Sequence, residues 1–334
     1  MSEESPLITA QQQFVDALPF RSLATESCQL PEALGRILAT DLAAPEDLPP
    51  YPRAIVEGFL VHTAETTQAS EDAPVSFTIS GEVKPGDSSC PALAAGQALR
   101  VATGSIVSGE DLSVVRMWEA QIQDDQLSIT RPFPPRFFIE EQGCDRHQGD
   151  TVLAAGKQLS AADIGLIASF GIDTITVTRR PRVTIFSSGD EVIPYTEALH
   201  PGAIRDSNAV MLAAAVSAAG AIPRLAGIMS DDFEAFVNAV KQALGDADMI
   251  LISGGTAVGG RDFIAELVSA TGKLIIDGVP MRSGRPLIMG VSAGKPMVCV
   301  AGHPPEALRG FQLFGVAAID RLTGHPAALP ADTA

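Results

Sequence analysis

The stretch MILISGG (residues 249–255), which runs on into TAVGGRDF (256–263), decides the fold of the C-terminal half of this chain. Four consecutive apolar residues followed by Ser and two glycines predict a short strand, buried on both faces, that ends in a tight turn. Strands of this kind are typical of parallel sheets that are covered by helices on both sides. The glycine-rich turn then leads into a helix predicted over residues 262–270.

Strand and helix patterns alternate on both sides of this stretch. Their β-α-β-α-β order predicts a three-layer α/β domain with a mostly parallel sheet over residues 179–325. The contributing segments are the strands VTIFSSGDE (183–191), AIPRLAGI (221–228), PLIMG (286–290) and PMVCV (296–300), and the helices SNAVMLAAAVSAAG (207–220), DDFEAFVNAVKQALG (231–245) and residues 306–322.

The N-terminal half has a different pattern, so the whole chain is classed as a multidomain α+β and α/β protein. Apolar residues at three- and four-residue spacing predict helical structure over residues 6–45, until the prolines of LPPYPR interrupt it. Short alternating stretches divided by Gly, Pro and Asp predict a small β-domain at residues 48–132. Residues 1–47 and 133–178, with a capped helix beginning near Ser160, form a connecting domain in this scheme, and 326–334 form a tail.

Composition excludes several classes of function. The formal net charge of −17 argues against general nucleic-acid binding, which needs a basic surface. No apolar run approaches the ~20 residues that span a membrane, and the acidic N-terminus has no secretion signal. Four scattered cysteines predict free thiols in a reducing cytoplasm. With 5% aromatic residues and one Trp, ring stacking is not expected to be the main binding device.

Four loops follow predicted strands and should meet at the carboxyl edge of the sheet, where α/β proteins bind ligands. They are residues 187–191, 253–260, 282–286 and 301–304. The second loop exposes backbone amides at a helix start and, together with Arg282 and Arg285 of the third, predicts a site for an anionic ligand such as a phosphate ester. A tight strand-to-helix turn without a ligand is the alternative for the second loop alone.

Carboxylates cluster in or beside these loops, at Asp190, Glu191, Asp206, Asp231 and Asp262. Several carboxylates near a bound phosphate predict a divalent cation, most often Mg²⁺. Each one could instead cap a helix, and Asp231 and Asp262 both directly precede a predicted helix. Of the histidines, His303 alone lies in a ligand-edge loop.

At this point the ordered motifs resemble a known family. FSSGDEV, RDSN, GIMSDD, ISGGTAVGGRDF, RSGRP and AGHP are similar to the molybdopterin-binding domain of the molybdopterin molybdenumtransferases (MoeA and the E domain of gephyrin). LGRILATDLAAPEDLPPY with VEGF, ATGSIVSGEDLSVV and GDTVLAAGKQLSAADIGLIASFGI resemble upstream segments of the same family. The resemblance covers residues 10–325 in order.

The resemblance implies that molybdate is inserted into adenylylated molybdopterin with release of AMP and with Mg²⁺ as cofactor. It also implies a homodimer, with a site between the C-terminal domain of one subunit and the small β-domain of the other. Glu57, Asp190, Glu191, Asp231 and Asp262 then match catalytic positions, the last four as metal ligands, and Asp145 matches an acidic residue of the connecting segment. The positions that would bind molybdopterin are Ser188, Gly189, Asp206, Asn208, Ser253, Gly254, Gly255, Thr256, Gly259, Arg282, Gly284, Arg285, Gly302, His303 and Pro304.

The sequence also departs from the family pattern. Glu57 stands where the family has Asp, in a segment that has lost several polar residues, and Arg282 and Arg285 replace two lysines. His303 replaces Asn, and the chain stops where the family's C-terminal β-domain is expected. A non-catalytic paralogue that stores molybdopterin, or delivers the cofactor to a client molybdoenzyme, is therefore the alternative function. An enzyme acting on another phosphate ester is a weaker one.

Overall fold

The computed structural model describes residues 6–19, 23–230, 232–255, 263–279 and 287–325. The strands are β1 Thr25–Gln29, β2 Leu42–Ala43, β3 Arg53–Ala54, β4 Gly58–His62, β5 Val75–Val83, β6 Gln97–Val101, β7 Leu112–Arg116, β8 Gln121–Gln123, β9 Gln126–Ile129, β10 Ile139–Glu140, β11 Thr151–Leu153, β12 Thr174–Thr178, β13 Arg182–Ser188, β14 Val192–Ile193, β15 Ile204–Arg205, β16 Ile222–Met229, β17 Met249–Gly254, β18 Lys273–Asp277, β19 Ile288–Ser292 and β20 Lys295–Val300. The α-helices are α1 Pro6–Ala17, α2 Thr63–Thr66, α3 Ala161–Ser169, α4 Ser207–Ala218, α5 Phe233–Ala243, α6 Phe263–Thr271, α7 Pro304–Gly310 and α8 Val316–Thr323.

The chain divides into two compact units, residues 1–40 with 154–334 and residues 41–153. The larger unit contains a six-stranded sheet in the order β16-β13-β17-β20-β19-β18. The first four strands are parallel, whereas β19 and β18 are antiparallel to their neighbours. This arrangement confirms the predicted mostly parallel sheet. The prediction of three domains is a separate matter and stays a prediction.

The central strand β17 explains why its sequence is apolar without alternation. Met249 and Leu251 belong to a core cluster with α4 and the C-terminal helices, and Ile250 and Ile252 belong to a second cluster with α5 and α6. All six residues of β17 are buried. Since helices cover both faces of the sheet, each side chain of this strand is removed from water.

The helical prediction for residues 6–45 is correct only for α1. The chain instead forms β1, which pairs antiparallel with β12, then a short 3-10 turn at Leu30–Glu32 and an irregular segment up to β2. The apolar spacing was misleading because Leu34 is 61% exposed and Gly35 adopts a φ of +72°, which ends any helix there. Pairing with a distant strand has overridden the local pattern.

The smaller unit is built around a second six-stranded sheet, in the order β7-β4-β6-β5-β9-β8. The alternating pattern predicted this β-structure, and apolar clusters lie on both of its faces. Gly58 begins β4 at a point where a Cβ atom would lie 2.0 Å from the carbonyl oxygen of Val115, so only glycine fits.

Three features of the larger unit were not predicted. Strand β18 closes one edge of the main sheet, β14 and β15 form a small parallel pair, and a π-helical turn over Phe311–Gly315 joins α7 to α8. The helix predicted at Ser160 is confirmed, with Ser160 and Asp163 forming a capping box. In the described part of the chain, no helix is long and apolar enough to cross a membrane.

Candidate functional site

A cleft of about 700 Å³ opens at the carboxyl ends of β13, β17 and β20. Residues of the first, second and fourth predicted ligand loops line it, the second being described only as far as Gly255, and the third loop, residues 282–286, lies outside the described residues. The lining residues are Ser187, Ser188, Gly189, Glu191, Val192, Ile204, Arg205, Asp206, Ser207, Asn208, Ser253, Gly254, Gly255, Gly302, His303 and Pro304. The parallel topology therefore brings together segments that are more than 110 positions apart in the sequence.

Buried polar atoms at this cleft have unused hydrogen-bonding capacity. Ser187, Ser188 and Asn208 are 3%, 4% and 8% exposed. Among the described residues, Ser187 Oγ, Ser188 Oγ and Asn208 Oδ1 have no hydrogen-bond partner. A buried polar atom without a partner is destabilising, and native structures keep such atoms mainly where a function uses them. Three of them at one cleft point to a polar ligand.

Asn208 joins two of the loops. It lies in the first turn of α4, and its Nδ2 donates to Ser253 Oγ and to the carbonyl oxygen of Gly302, both at 2.7 Å. Ser253 Oγ in turn donates to the carbonyl oxygen of Ala301 at 3.3 Å. The loops that follow β17 and β20 are thus held in position by two polar side chains.

The glycines of the second loop allow a close approach to the first. Gly254 has a φ of +93°, and a Cβ atom there would lie 2.5 Å from the carbonyl oxygen of Ser188. At Gly255, with a φ of +73°, a Cβ atom would lie 2.9 Å from Ser188 Oγ. Both conformations disfavour other residue types, so the glycines set the shape of the cleft floor.

Only some of the predicted acidic residues line the cleft in the described part of the structure. Asp190 and Glu191 are both exposed, and Glu191 lines the cleft whereas Asp190 is not part of the lining. Asp206 lines the cleft and also caps α4, since its carboxylate accepts a hydrogen bond from the Ala209 amide at 3.0 Å. The other predicted site residues, Asp231, Thr256, Gly259, Asp262, Arg282, Gly284 and Arg285, lie outside the described residues, so their roles stay predictions.

Among the described residues, the basic side chains that line the cleft are His303 and Arg205. Arg205, which was not predicted, lies in β15 next to Asp206, and its Nε donates to the carbonyl oxygen of Glu197 at 3.0 Å. The signal that could have indicated it is its place in the RDSN segment, directly before the helix cap. An arginine at the rim provides positive charge for an anion in a chain with a strongly negative net charge.

Glu57 belongs to the smaller unit, where it is exposed between β3 and β4. It lines a pocket of about 110 Å³ together with Lys84 and Arg100. Its carbonyl oxygen accepts a hydrogen bond from the Met117 amide at 3.2 Å, which ties the Glu57 backbone to the end of β7.

Sequence reasoning missed one cluster of possible ligands in the smaller unit. The ligand atoms of Glu140, Cys144 and Asp145 lie within 4.8 Å of one another. Desolvation and the two carboxylates raise the pKa of the Cys144 thiol. Because metals bind the thiolate, this shift makes Cys144 a poor ligand without further support. In the described part of the chain, Asp190 and Glu191 join no group of three such ligands.

Comparison with known proteins finds matches to molybdopterin-related family models in both halves of the chain. Residues 6–171 match the family model described as the MoeA N-terminal region (domain I and II), and residues 184–321 match the probable molybdopterin binding domain. The chain is 33% identical over 305 residues to a molybdopterin molybdenumtransferase of Nostoc sp., covering 90% of this chain and 70% of the relative. The enzyme of the same name from Bacillus subtilis is 31% identical over 295 residues, which are 87% of this chain and 69% of the relative.

Solved structures are similar over nearly the whole chain. Two structures of the molybdopterin biosynthesis moeA protein from Pyrococcus horikoshii superpose with TM-scores of 0.78 and 0.82. Their sequence identities are 29% and 27%, and the matches cover 96% and 97% of this chain and 81% and 80% of the other chains. The fold and the family assignment therefore rest on both sequence and structure.

Proposed function

Because this chain belongs to the molybdopterin molybdenumtransferase family, we propose that it inserts molybdate into adenylylated molybdopterin and releases AMP, as a step of molybdenum cofactor biosynthesis. The observation that supports this most directly is the set of buried, unpartnered polar atoms of Ser187, Ser188 and Asn208 at the cleft. This cleft lies in the segment that matches the molybdopterin-binding model.

In this proposal the cleft binds the phosphate group of molybdopterin. The hydroxyls of Ser187 and Ser188 can each donate a hydrogen bond to a phosphate oxygen, and Arg205 and His303 add donors at the rim. The amides at the start of α4 and the positive end of its dipole favour a negative ligand at the same place. Binding groups that are already held in position need little further ordering when the ligand binds, so little entropy is lost.

We further propose that Asp190 and Glu191 bind Mg²⁺ together with the predicted ligands Asp231 and Asp262. Carboxylates are the ligand type that Mg²⁺ prefers, and Glu191 lines the cleft. Bound Mg²⁺ would polarise the phosphoanhydride of the adenylylated substrate. Glu57 would act as a general base on a water molecule, by accepting its proton. A homodimer in the cytoplasm, with a molybdoenzyme as client, completes the proposal.

The test is AMP release by the purified protein incubated with adenylylated molybdopterin, molybdate and Mg²⁺. Asp190→Asn should reduce turnover at least tenfold while molybdopterin binding changes little, because the carboxylate acts on the cation rather than on the pterin. Binding of molybdopterin without any AMP release would overturn the transferase and favour a cofactor carrier. Equal loss of binding and turnover in the variant would contradict the proposed role of Asp190.

A matched control is available in the same unit. Asp246→Asn makes the same chemical change three residues before β17, at the amino end of the strands. Its carboxylate is 78% exposed and lies 3.7 Å from Arg224. Turnover should be unchanged in this variant. A comparable loss in both variants would mean that AMP release responds to general charge and not to the site.

A further inference from the structure

Aromatic rings and guanidinium groups pack against one another in a row in the smaller unit. The Arg116 guanidinium lies between the rings of Trp118 and Phe138, 5.0 and 4.9 Å from their centroids. Phe138 contacts Phe137 at a centroid distance of 4.1 Å. Arg131 lies 4.1 Å from the Phe133 ring and 5.8 Å from the Phe137 ring. We call these residues the Trp118 stack.

Ion pairs and backbone geometry hold this stack in place. Glu119 accepts two hydrogen bonds from Arg116, at 2.7 and 2.8 Å, and is also paired with Arg131. The Arg116 guanidinium, with help from Arg131, lowers the pKa of Glu119 to about 2, so the carboxylate stays charged. Phe138 has a φ of +55°, which is unusual for an aromatic residue and requires support from its surroundings.

The stack ends in an open ring. Trp118 is the one tryptophan of the chain, and it is 71% exposed although Arg116 covers one of its faces. The uncovered face of the indole is therefore accessible and already held in one orientation. Planar heterocycles stack on such rings, with a contribution that is independent of most of their substituents.

The ring also lies close in the chain to the pocket that Glu57, one of the predicted site residues, lines in the smaller unit. Met117, directly before Trp118, lines the small pocket that contains Glu57, Lys84 and Arg100. Its amide donates to the Glu57 carbonyl oxygen, and β4 and β7 are paired from Gly58 opposite Arg116 onwards. The backbone that positions Glu57 is thus the backbone that positions the Trp118 stack.

We propose that the open face of Trp118 is a stacking platform for a planar nitrogen heterocycle of the substrate. The inference rests on the proposed function, because adenylylated molybdopterin supplies two such rings, the adenine and the pterin. Trp118 acts here as a binding and specificity residue. The guanidinium of Arg116 lies over the other face of the indole and is attracted to it electrostatically, which supports the ring.

The single tryptophan makes a direct test possible. Wild-type protein is titrated separately with AMP and with 6-carboxypterin, and the tryptophan emission is recorded together with the affinity from equilibrium dialysis. We expect the emission to be quenched by at least one probe. Trp118→Ala should weaken binding of that probe by about 5- to 150-fold, the range found for single aromatic–base stacks. Trp118→Phe should bind within a few-fold of wild type.

The control is Ile122→Ala in β8 of the same unit. This substitution also removes an exposed apolar side chain, since Ile122 is 47% exposed. This variant should leave both affinities unchanged. Circular dichroism in urea establishes that each variant is folded before its affinity is compared.

The outcomes separate this inference from the proposed function. Quenching by AMP alone, by the pterin alone or by both supports the platform and identifies the ring that it binds. If wild-type protein releases AMP from the full substrate but Trp118→Ala shows unchanged KM and unchanged probe affinities, the platform is overturned and the transferase stands. If the probes bind at Trp118 but no AMP is released, the platform stands and the transferase fails.

Discussion

Replacing Asn208 by Asp tests whether the cleft is organised by one side chain. Asn208 Nδ2 donates to Ser253 Oγ and to the Gly302 carbonyl oxygen, and its Oδ1 is buried without a partner among the described residues. Asn208→Asp keeps the shape of the side chain and removes both donors. It also puts a negative charge where the proposed ligand carries one.

The expected magnitudes follow from these contacts. Each hydrogen bond contributes about 0.5–1.5 kcal/mol net, so losing two should reduce the free energy of unfolding by about 1–3 kcal/mol. For ligand binding the charge matters more. Two unit charges about 5 Å apart repel each other by about 3 kcal/mol at an effective dielectric constant of about 20. That energy corresponds to a loss of about a hundredfold in affinity.

Urea unfolding followed by circular dichroism measures the first quantity, and the substrate dependence of AMP release measures the second. Asn208→Ala separates the two effects, because it removes the donors without adding charge and should lose stability but much less affinity. Asn238→Asp, an identical change on the exposed face of α5, is the control and should affect neither. The reasoning is refuted if Asn208→Asp has the KM and the urea midpoint of wild type.

Two further predictions concern stability. Gly254→Ala should lower the urea midpoint more than Gly227→Ala. Both glycines have positive φ angles, +93° and +101°, which cost about 1–2 kcal/mol for alanine, but only at Gly254 would the Cβ atom collide with the Ser188 carbonyl oxygen. Equal effects of the two substitutions would show that the cleft floor adapts. Glu119→Gln should lower the free energy of unfolding, and the loss relative to wild type should have its full size above about pH 4.5. The loss should shrink as the pH falls towards 2, since Arg116 depresses the folded-state pKa of Glu119 to about 2. A loss that is constant between pH 7 and pH 3 would contradict that role.

The sequence was sufficient for the parts of the fold that follow from local pattern. The apolar run of β17 predicted a strand covered on both faces, and the capping box at Ser160 predicted the start of α3. The same reasoning failed for residues 25–45, where β1 pairs with a strand about 150 positions away. A pattern of apolar spacing cannot distinguish a helix from an irregular segment that buries most of its apolar residues, such as Ile37 and Leu38, and leaves Leu34 exposed.

The candidate site was predictable at the level of loops and not at the level of atoms. Strand order and the carboxyl-edge rule brought three loops to one cleft. The hydrogen bonds of Asn208 span 45 and 94 positions, and only coordinates reveal them. The prediction about aromatic residues considered their number, 5% of the chain, whereas the structure adds the exposure of Trp118 and its support by Arg116.

The departures from the family motifs fall where side chains, not the backbone, would act. The loop at residues 301–304 is held through the carbonyl oxygens of Ala301 and Gly302, which accept from Ser253 and Asn208. Replacing the family's Asn by His303 therefore leaves the anchoring of this loop intact, and His303 caps α7 with no side-chain hydrogen bond. The same holds for Glu57, whose carbonyl oxygen is bound by the Met117 amide whatever its side chain is. In the proposed function both exchanges alter side chains that would meet the substrate, while these backbone contacts do not depend on them, so activity measurements, and not stability measurements, are the ones that will distinguish this chain from its relatives.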